Sequence, residues 1–138
     1  MSYNIVSKYI KDISFEIPNT KAYVMLEKEI SNYSLNFDIK SNPVKDNIIE
    51  VNTSLRITPN QNVQHKILAD LTCTAVVSIQ DNFENKKELE KIVLIKVPTE
   101  IYSTLYDTFI YLFTQAGVKN IEIDKKVDFE KLYNQRKK

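Results

Sequence analysis

Between Tyr9 and Asn19 the chain reads YIKDISFEIPN, and no other stretch constrains the fold as tightly. Tyr9, Lys11, Ile13, Phe15 and Ile17 fall on one parity, and Ile10, Asp12, Ser14 and Glu16 on the other. Alternation of this length specifies a strand with one buried face. Pro18 and Asn19 end it. The less buried face carries Asp12 and Glu16, roughly 13 Å apart at about 3.3 Å per residue. Two carboxylates so placed are either a solvated polar face or a docking point for a cationic partner.

The next segment, 20–33, is open between a short helix (Ala22, Val24, Leu26 and Ile30) and extended chain, and is expected to be a crossover. Ser34 to Lys40 alternates again, with Leu35, Phe37 and Ile39 on one side, until Ser41, Asn42, Pro43 and Asp46-Asn47 interrupt it. Ile49, Val51, Thr53, Leu55 and Ile57 share a face of a third strand over 48–57. A hairpin turn at 59–62 leads to a fourth strand over 63–79, rich in Val, Ile, Thr and Leu. Four sequential strands with short turns suggest an antiparallel meander.

After residues 81–84 the period changes. Leu89, Ile92, Val93 and Lys96 fit a short helix, and Pro98 is expected to open a second one that Gly117 closes. On this long helix Ile101, Leu105, Phe109 and Leu112 make one apolar stripe. Tyr102, Tyr106, Ile110 and Phe113 make another. That arc is wider than one sheet face needs, so the helix is expected to lie between its own sheet and another subunit. Ile121 and Ile123 suggest a short extended piece. Asp128 caps a terminal helix with Phe129, Leu132 and Tyr133 inside, and the basic end Arg136-Lys137-Lys138 should fray.

Composition excludes several classes of function. The 138 residues suit one domain. The balance of 19 basic and 18 acidic residues argues against nucleic acid binding. No apolar run is long enough to span a membrane, and the first ten residues lack signal-peptide features, so the protein is expected to stay where it is made. The single cysteine, Cys73, fits a reducing cytoplasm. With one glycine there is no phosphate-cradling loop, so ATP has no evident place. With one histidine, His65 in a polar turn, there is no convincing metal or catalytic constellation. The expectation is a protein without catalysis and without a cofactor.

Three segments carry a family resemblance. Lys11-Asp12-Ile13-Ser14-Phe15-Glu16 with Pro18-Asn19 resembles the N-terminal signature of the SecB export chaperones. The stretch VPTEIYSTLYDTFI at 97–110 is similar to the start of that family's main helix, and Val127 to Tyr133 to its closing helix. Order and spacing agree from about residue 5 to 135, so the chain resembles a divergent member. It departs from the family pattern at Thr74 and Ala75 in place of two glycines, at Ser103 in place of a proline, at Tyr106 in place of a basic residue, and in a basic rather than acidic end.

The resemblance implies an α+β protomer. A four-stranded antiparallel sheet is followed by a short helix, a long helix and a C-terminal helix, and protomers assemble as a dimer of dimers. It implies an ATP-independent holdase in the cytoplasm, a homotetramer that keeps precursor proteins unfolded and delivers them to the SecA motor. SecA's zinc-binding, basic C-terminal segment would dock on Asp12, Glu16, Leu68 and Asp70. Ala69, Leu71 and Cys73 fall where the family makes contacts between protomers, and Ile101, Leu105, Phe109 and Leu112 would extend that interface. Tyr23, Met25, Tyr102 and Tyr106 are candidates for client binding. The alternative implied by the same family is a chaperone dedicated to a narrow client such as an antitoxin, uncoupled from SecA. Neither nucleic acid nor direct membrane insertion is expected.

Overall fold

The computed structural model describes residues 2–60, 66–80, 85–118 and 121–136. Four strands form one antiparallel sheet: β1 (Tyr3–Glu16), β2 (Tyr33–Lys45), β3 (Ile48–Pro59) and β4 (Leu68–Ile79). Between β1 and β2 lie helix α1 (Thr20–Glu29) and a 3-10 turn (Ile30–Asn32). After β4 come α2 (Lys86–Lys91), a π-helical turn (Ile92–Lys96), the long helix α3 (Val97–Gln115) and α4 (Phe129–Arg136). The expected fold class is therefore the observed one, with α1 added between the first two strands.

The strand order β1-β4-β3-β2 corrects the simple meander. Strands β2, β3 and β4 follow one another, but β1 lies against β4, at the far edge from β2. The segment after β1 must therefore cross the whole sheet. It does so partly as a helix, because Asn19 caps it: the Ala22 N–H donates to Asn19 Oδ1 at 2.8 Å. Ala22 and Leu26, four apart, then share the face that α1 buries.

The alternation read in β1 breaks at Lys11. Ile10 pairs with Cys73, and Asp12 with the adjacent Thr72, so Lys11 is an extra residue on β1. Such a bulge reverses the parity of everything before it. Ile10 thus joins Ile13 and Phe15 on the helix-covered face, while Tyr9 joins Asp12, Ser14 and Glu16 on the open face. A second bulge lies between Ile5 and Ser7. In β2 the polar run at 41–43 does not end the strand. Pro43 pairs with Ile49, which an edge strand tolerates because its outward N–H needs no partner. The chain turns instead at Asp46-Asn47, where Asn47 has φ 60.

The segment expected to begin the fourth strand falls partly outside the described residues, and so does the 59–62 turn. His65, residues 81–84 and residues 137–138 lie outside them as well. Lys66 and Ile67 precede β4 without strand pairing, and 121–123 is irregular.

Pro98 does not open a separate helix. The helical path runs unbroken from α2 through the π turn into α3. In that turn the Val97 N–H donates to the Ile92 carbonyl five residues back. The wider π spacing accommodates a proline that lacks an N–H and would otherwise press on a carbonyl of the preceding turn.

The core lies between one sheet face and α3. Ile49, Val51, Leu55 and Ile57 of β3 and Ala69, Leu71, Cys73, Ala75 and Val77 of β4 pack beneath Ile101, Leu105, Phe109 and Phe113. The Phe15 ring meets Phe113 edge-on at 5.0 Å, joining β1 to the end of α3. Burial pushes the Cys73 thiol above its usual pKa, opposed by the Lys8 ammonium.

Gly117 ends α3 as the sequence suggests. Its φ is +86, its N–H donates to the Thr114 carbonyl, and Val118 N–H reaches back to Phe113. This is a Schellman end. A Cβ on Gly117 would stand 2.8 Å from the Tyr23 hydroxyl, and that hydroxyl donates to the Gly117 carbonyl at 3.0 Å. Gly117→Ala is expected to lower unfolding free energy by about 1–2 kcal/mol, from backbone strain alone, measurable by urea denaturation.

Candidate functional site

The helices do not cover the sheet to its β2 edge, and an apolar groove of about 500 Å³ remains there. Its walls are Leu35, Phe37 and Ile39 of β2, Leu94 of the π turn, and Phe129, Leu132 and Tyr133 of α4. Asn36 also borders it. Leu35 and Phe37 lie on the helix-covered face and Asn36 on the other, so the groove follows the edge of the strand itself. Being the last strand, β2 offers its outward backbone groups along this edge.

Local chemistry builds the wall opposite. Asp128 caps α4, accepting the Lys131 N–H at 3.0 Å, which directs Phe129 and Tyr133 inward. Leu132 was expected inside as well. It is instead 41% exposed, on the groove rim. The Phe37, Tyr102 and Phe129 rings meet edge-on at 5.3 to 6.1 Å and tie β2, α3 and α4 together. Tyr102 is 3% exposed and donates its hydroxyl to the Asp124 carbonyl at 2.7 Å. Burial first, then the Asp124 and Tyr106 charges, push its pKa up to about 12.

None of the four candidate client residues lines this groove. Tyr102 supports its floor from beneath, with Tyr106 beside it at a ring distance of 6.3 Å. Tyr23 is bonded to Gly117, and Met25 is half-buried on α1. The lining residues missed by sequence reasoning had one signal. Phe129 and Tyr133 share a helix face with Leu132 beside it, opposite an alternating edge strand.

The opposite sheet face has no helix over it. The register aligns its side chains in rows across the strands: Tyr9, Thr74, Asn52 and Lys40; then Asp12, Thr72, Ser54 and Asp38; then Ser14, Asp70, Arg56 and Asn36; and last Glu16 beside Leu68. Asp12, Glu16, Leu68 and Asp70 therefore do lie together on one face of two adjacent strands. Hydrogen bonds link the rows internally, with Thr74 Oγ1 donating to Asn52 at 2.5 Å and Ser54 and Thr72 hydroxyls 2.7 Å apart. Asp70 accepts from Arg56 at 2.9 Å.

Ala69, Leu71, Cys73, Ile101, Leu105 and Phe109 are at most 1% exposed in the single chain. Their surface is taken up by packing within the single chain. Leu112 remains half-buried. The outward side of α3 carries Tyr106, Ile110 and Tyr111 instead, the last 61% exposed. The helix is wide in apolar character because one arc fills the core and a second reaches the surface. Among the described residues there is no cluster of three metal-ligating side chains, and no helix is long and apolar enough to cross a membrane.

The sheet is thus backed by helices on one face, with an apolar groove at one edge and a polar face opposite that no helix covers. The family model described as preprotein translocase subunit SecB matches residues 1–138, and the chain belongs to that family. Its members are chaperones, not enzymes. A Pelagibacter ubique (strain HTCC1062) sequence named "Putative protein-export protein SecB" is 42% identical over 135 residues, covering 98% of this chain and 96% of that one. Protein-export protein SecB of Burkholderia lata is 26% identical over 134 residues, covering 97% and 81%. Among solved structures, a Mycobacterium tuberculosis SecB-like chaperone, Rv1957, in complex with a ChAD peptide from the HigA1 antitoxin has the same fold. Its TM-score is 0.68 at 12% identity, over 91% of this chain and 88% of that one.

The Tyr102 hydroxyl gives a pH signature. Its folded pKa lies above the unfolded value of 10.0, so its stabilising contribution is complete below pH 10 and is lost as pH rises through about 12. Tyr3 titrates in the same window, because burial and its hydrogen bond to Glu100 also raise it to about 12. Tyr102→Phe is therefore expected to flatten, without abolishing, the decline in stability between pH 10 and 12, as followed by denaturant midpoints at each pH.

Proposed function

We propose that this chain is an ATP-independent holdase for export precursors, acting in the cytoplasm and handing its clients to SecA. The observation that carries the reading is the apolar groove along the open edge of β2. An unfolded segment laid in it buries apolar side chains against Leu35, Phe37, Leu132 and Phe129, while its backbone meets the strand edge. Backbone pairing is indifferent to sequence, so binding is broad, as a chaperone of many precursors requires. The 42% identity to a protein carrying an export name supports that assignment.

Delivery is assigned to the open sheet face. Asp12 and Glu16, with Leu68 as an apolar contact beside them, receive the basic, zinc-binding C-terminal segment of SecA. Carboxylates facing a cationic partner give fast, salt-sensitive association. Assembly as a homotetramer is assigned to the outward side of α3, where Tyr111 is exposed beside the half-buried Tyr106 and Ile110. A second reading, a chaperone dedicated to an antitoxin, is favoured by one observation: the M. tuberculosis neighbour was solved holding a peptide from an antitoxin.

The test has two arms. Leu132→Asp alters an exposed rim residue, so the fold survives. It is expected to cut suppression of aggregation of a slowly folding precursor by about threefold or more, since burial of a leucine is worth roughly 1.5–3 kcal/mol. In parallel, calorimetric titration with the zinc-loaded SecA segment is expected to show binding that weakens with salt and disappears in the Asp12→Lys, Glu16→Lys double variant. Unimpaired suppression by Leu132→Asp removes the groove from the mechanism. Absence of SecA binding by the intact protein transfers the assignment to the dedicated-client reading.

A further inference from the structure

The docking set holds three acids in sequence but only two in charge. Asp70 is the cross-strand neighbour of Arg56, and both Nε and Nη2 of that guanidinium lie 2.9 Å from Asp70 Oδ2. Asp12 and Glu16 are differently placed. Among the described residues neither is in an ion pair. The Arg56–Asp70 pair sits in a shallow trough of about 300 Å³ that also contains Lys11, Asp12, Asp38 and Lys40, three acids and three bases in all. The trough is thus close to neutral, and of the docking acids only Asp12 and Glu16, both on β1, are not held by a guanidinium.

We propose that Arg56 is a specificity-determining residue that holds Asp70 out of the docking set and limits how tightly the open sheet face takes a cationic segment. The inference rests on the reading that this face docks such a segment. The Asp70 side chain is 24% exposed and that of Arg56 58%, so the carboxylate is the more recessed partner and the guanidinium the more presented one. An incoming lysine or arginine meets the Arg56 charge first. To reach Asp70 it must displace a planar fork already seated on it, and a single ammonium cannot match two converging N–H donors. The partner that suits this face therefore places its cations towards β1, over Asp12 and Glu16, and none over β3. The requirement discriminates among basic peptides by the position of their charge, not by its amount.

The experiment titrates the full-length protein with the zinc-loaded basic segment at low salt, in variants of the pair and one control. Arg56→Gln, which frees Asp70, is expected to tighten binding by about threefold or more, the range of a surface charge pair. Asp70→Asn, which unmasks the guanidinium, is expected to weaken it. The Arg56→Gln, Asp70→Asn double variant should return close to the wild-type affinity. Lys40→Gln removes a positive charge from the same trough without touching the docking acids, and it should change affinity less than Arg56→Gln does. If Arg56→Gln leaves affinity unchanged while Asp12→Lys, Glu16→Lys abolishes it, docking stands and the role of Arg56 is overturned. Equal tightening by Lys40→Gln also overturns it, in favour of general charge. If the wild type does not bind, the docking reading fails and the inference with it.

Discussion

The burial of α3 against one face of a four-stranded sheet is the constraint from which the other features follow. Ile101, Leu105, Phe109 and Phe113 fill the space above β3 and β4, and the side chains beneath them have no surface left. A single long helix is narrower than four strands spaced about 4.7–4.9 Å apart. Something else has to cover the edges. On the β1 side Phe15 closes against Phe113. On the β2 side α4 closes only in part, through Phe129 and Tyr133, and the uncovered remainder is the groove.

The same asymmetry accounts for the two faces. The helices need only one side of the sheet, so the opposite face has no helix over it, although Asn52 and Thr74 at its centre are buried. Its side chains form a polar lattice of hydroxyls, amides and charges in register across all four strands. An antiparallel sheet can carry such a face because its backbone is already paired. An apolar groove and a charged face can therefore sit on one sheet in a small chain. The groove lies at the β2 edge and Asp12 and Glu16 on β1 at the other, so the two surfaces occupy opposite edges of one sheet.

Buried and rim positions also separate two roles for aromatic residues. Tyr102 looks like a contact residue in sequence, beside Tyr106 on a helix. Packing makes it a pillar instead, with its hydroxyl tied to the Asp124 carbonyl and its ring between Phe37 and Phe129. Leu132 shows the reverse, an apolar residue in helical register with core positions that ends at the surface. Periodicity places a residue on a face of its own element. It does not say how far the neighbouring element extends.

The amino-acid sequence by itself determined the four strands, the helices that follow the sheet, the closing glycine of α3, the cap of α4, the side of the sheet on which Asp12 and Glu16 stand, and the family. These depend on local spacing, turn chemistry and contiguous motifs, which one chain displays directly. Tertiary structure alone decided the rest. The Lys11 bulge, which moves Ile10 to the core side, depends on which strand β1 pairs with. The place of β1 beside β4 depends on a crossover that local propensity leaves ambiguous. The capture of Asp70 by Arg56 joins residues fourteen apart in sequence through the register of β3 and β4. The groove is a difference between the width of a sheet and the reach of its helices. It exists only once both are assembled.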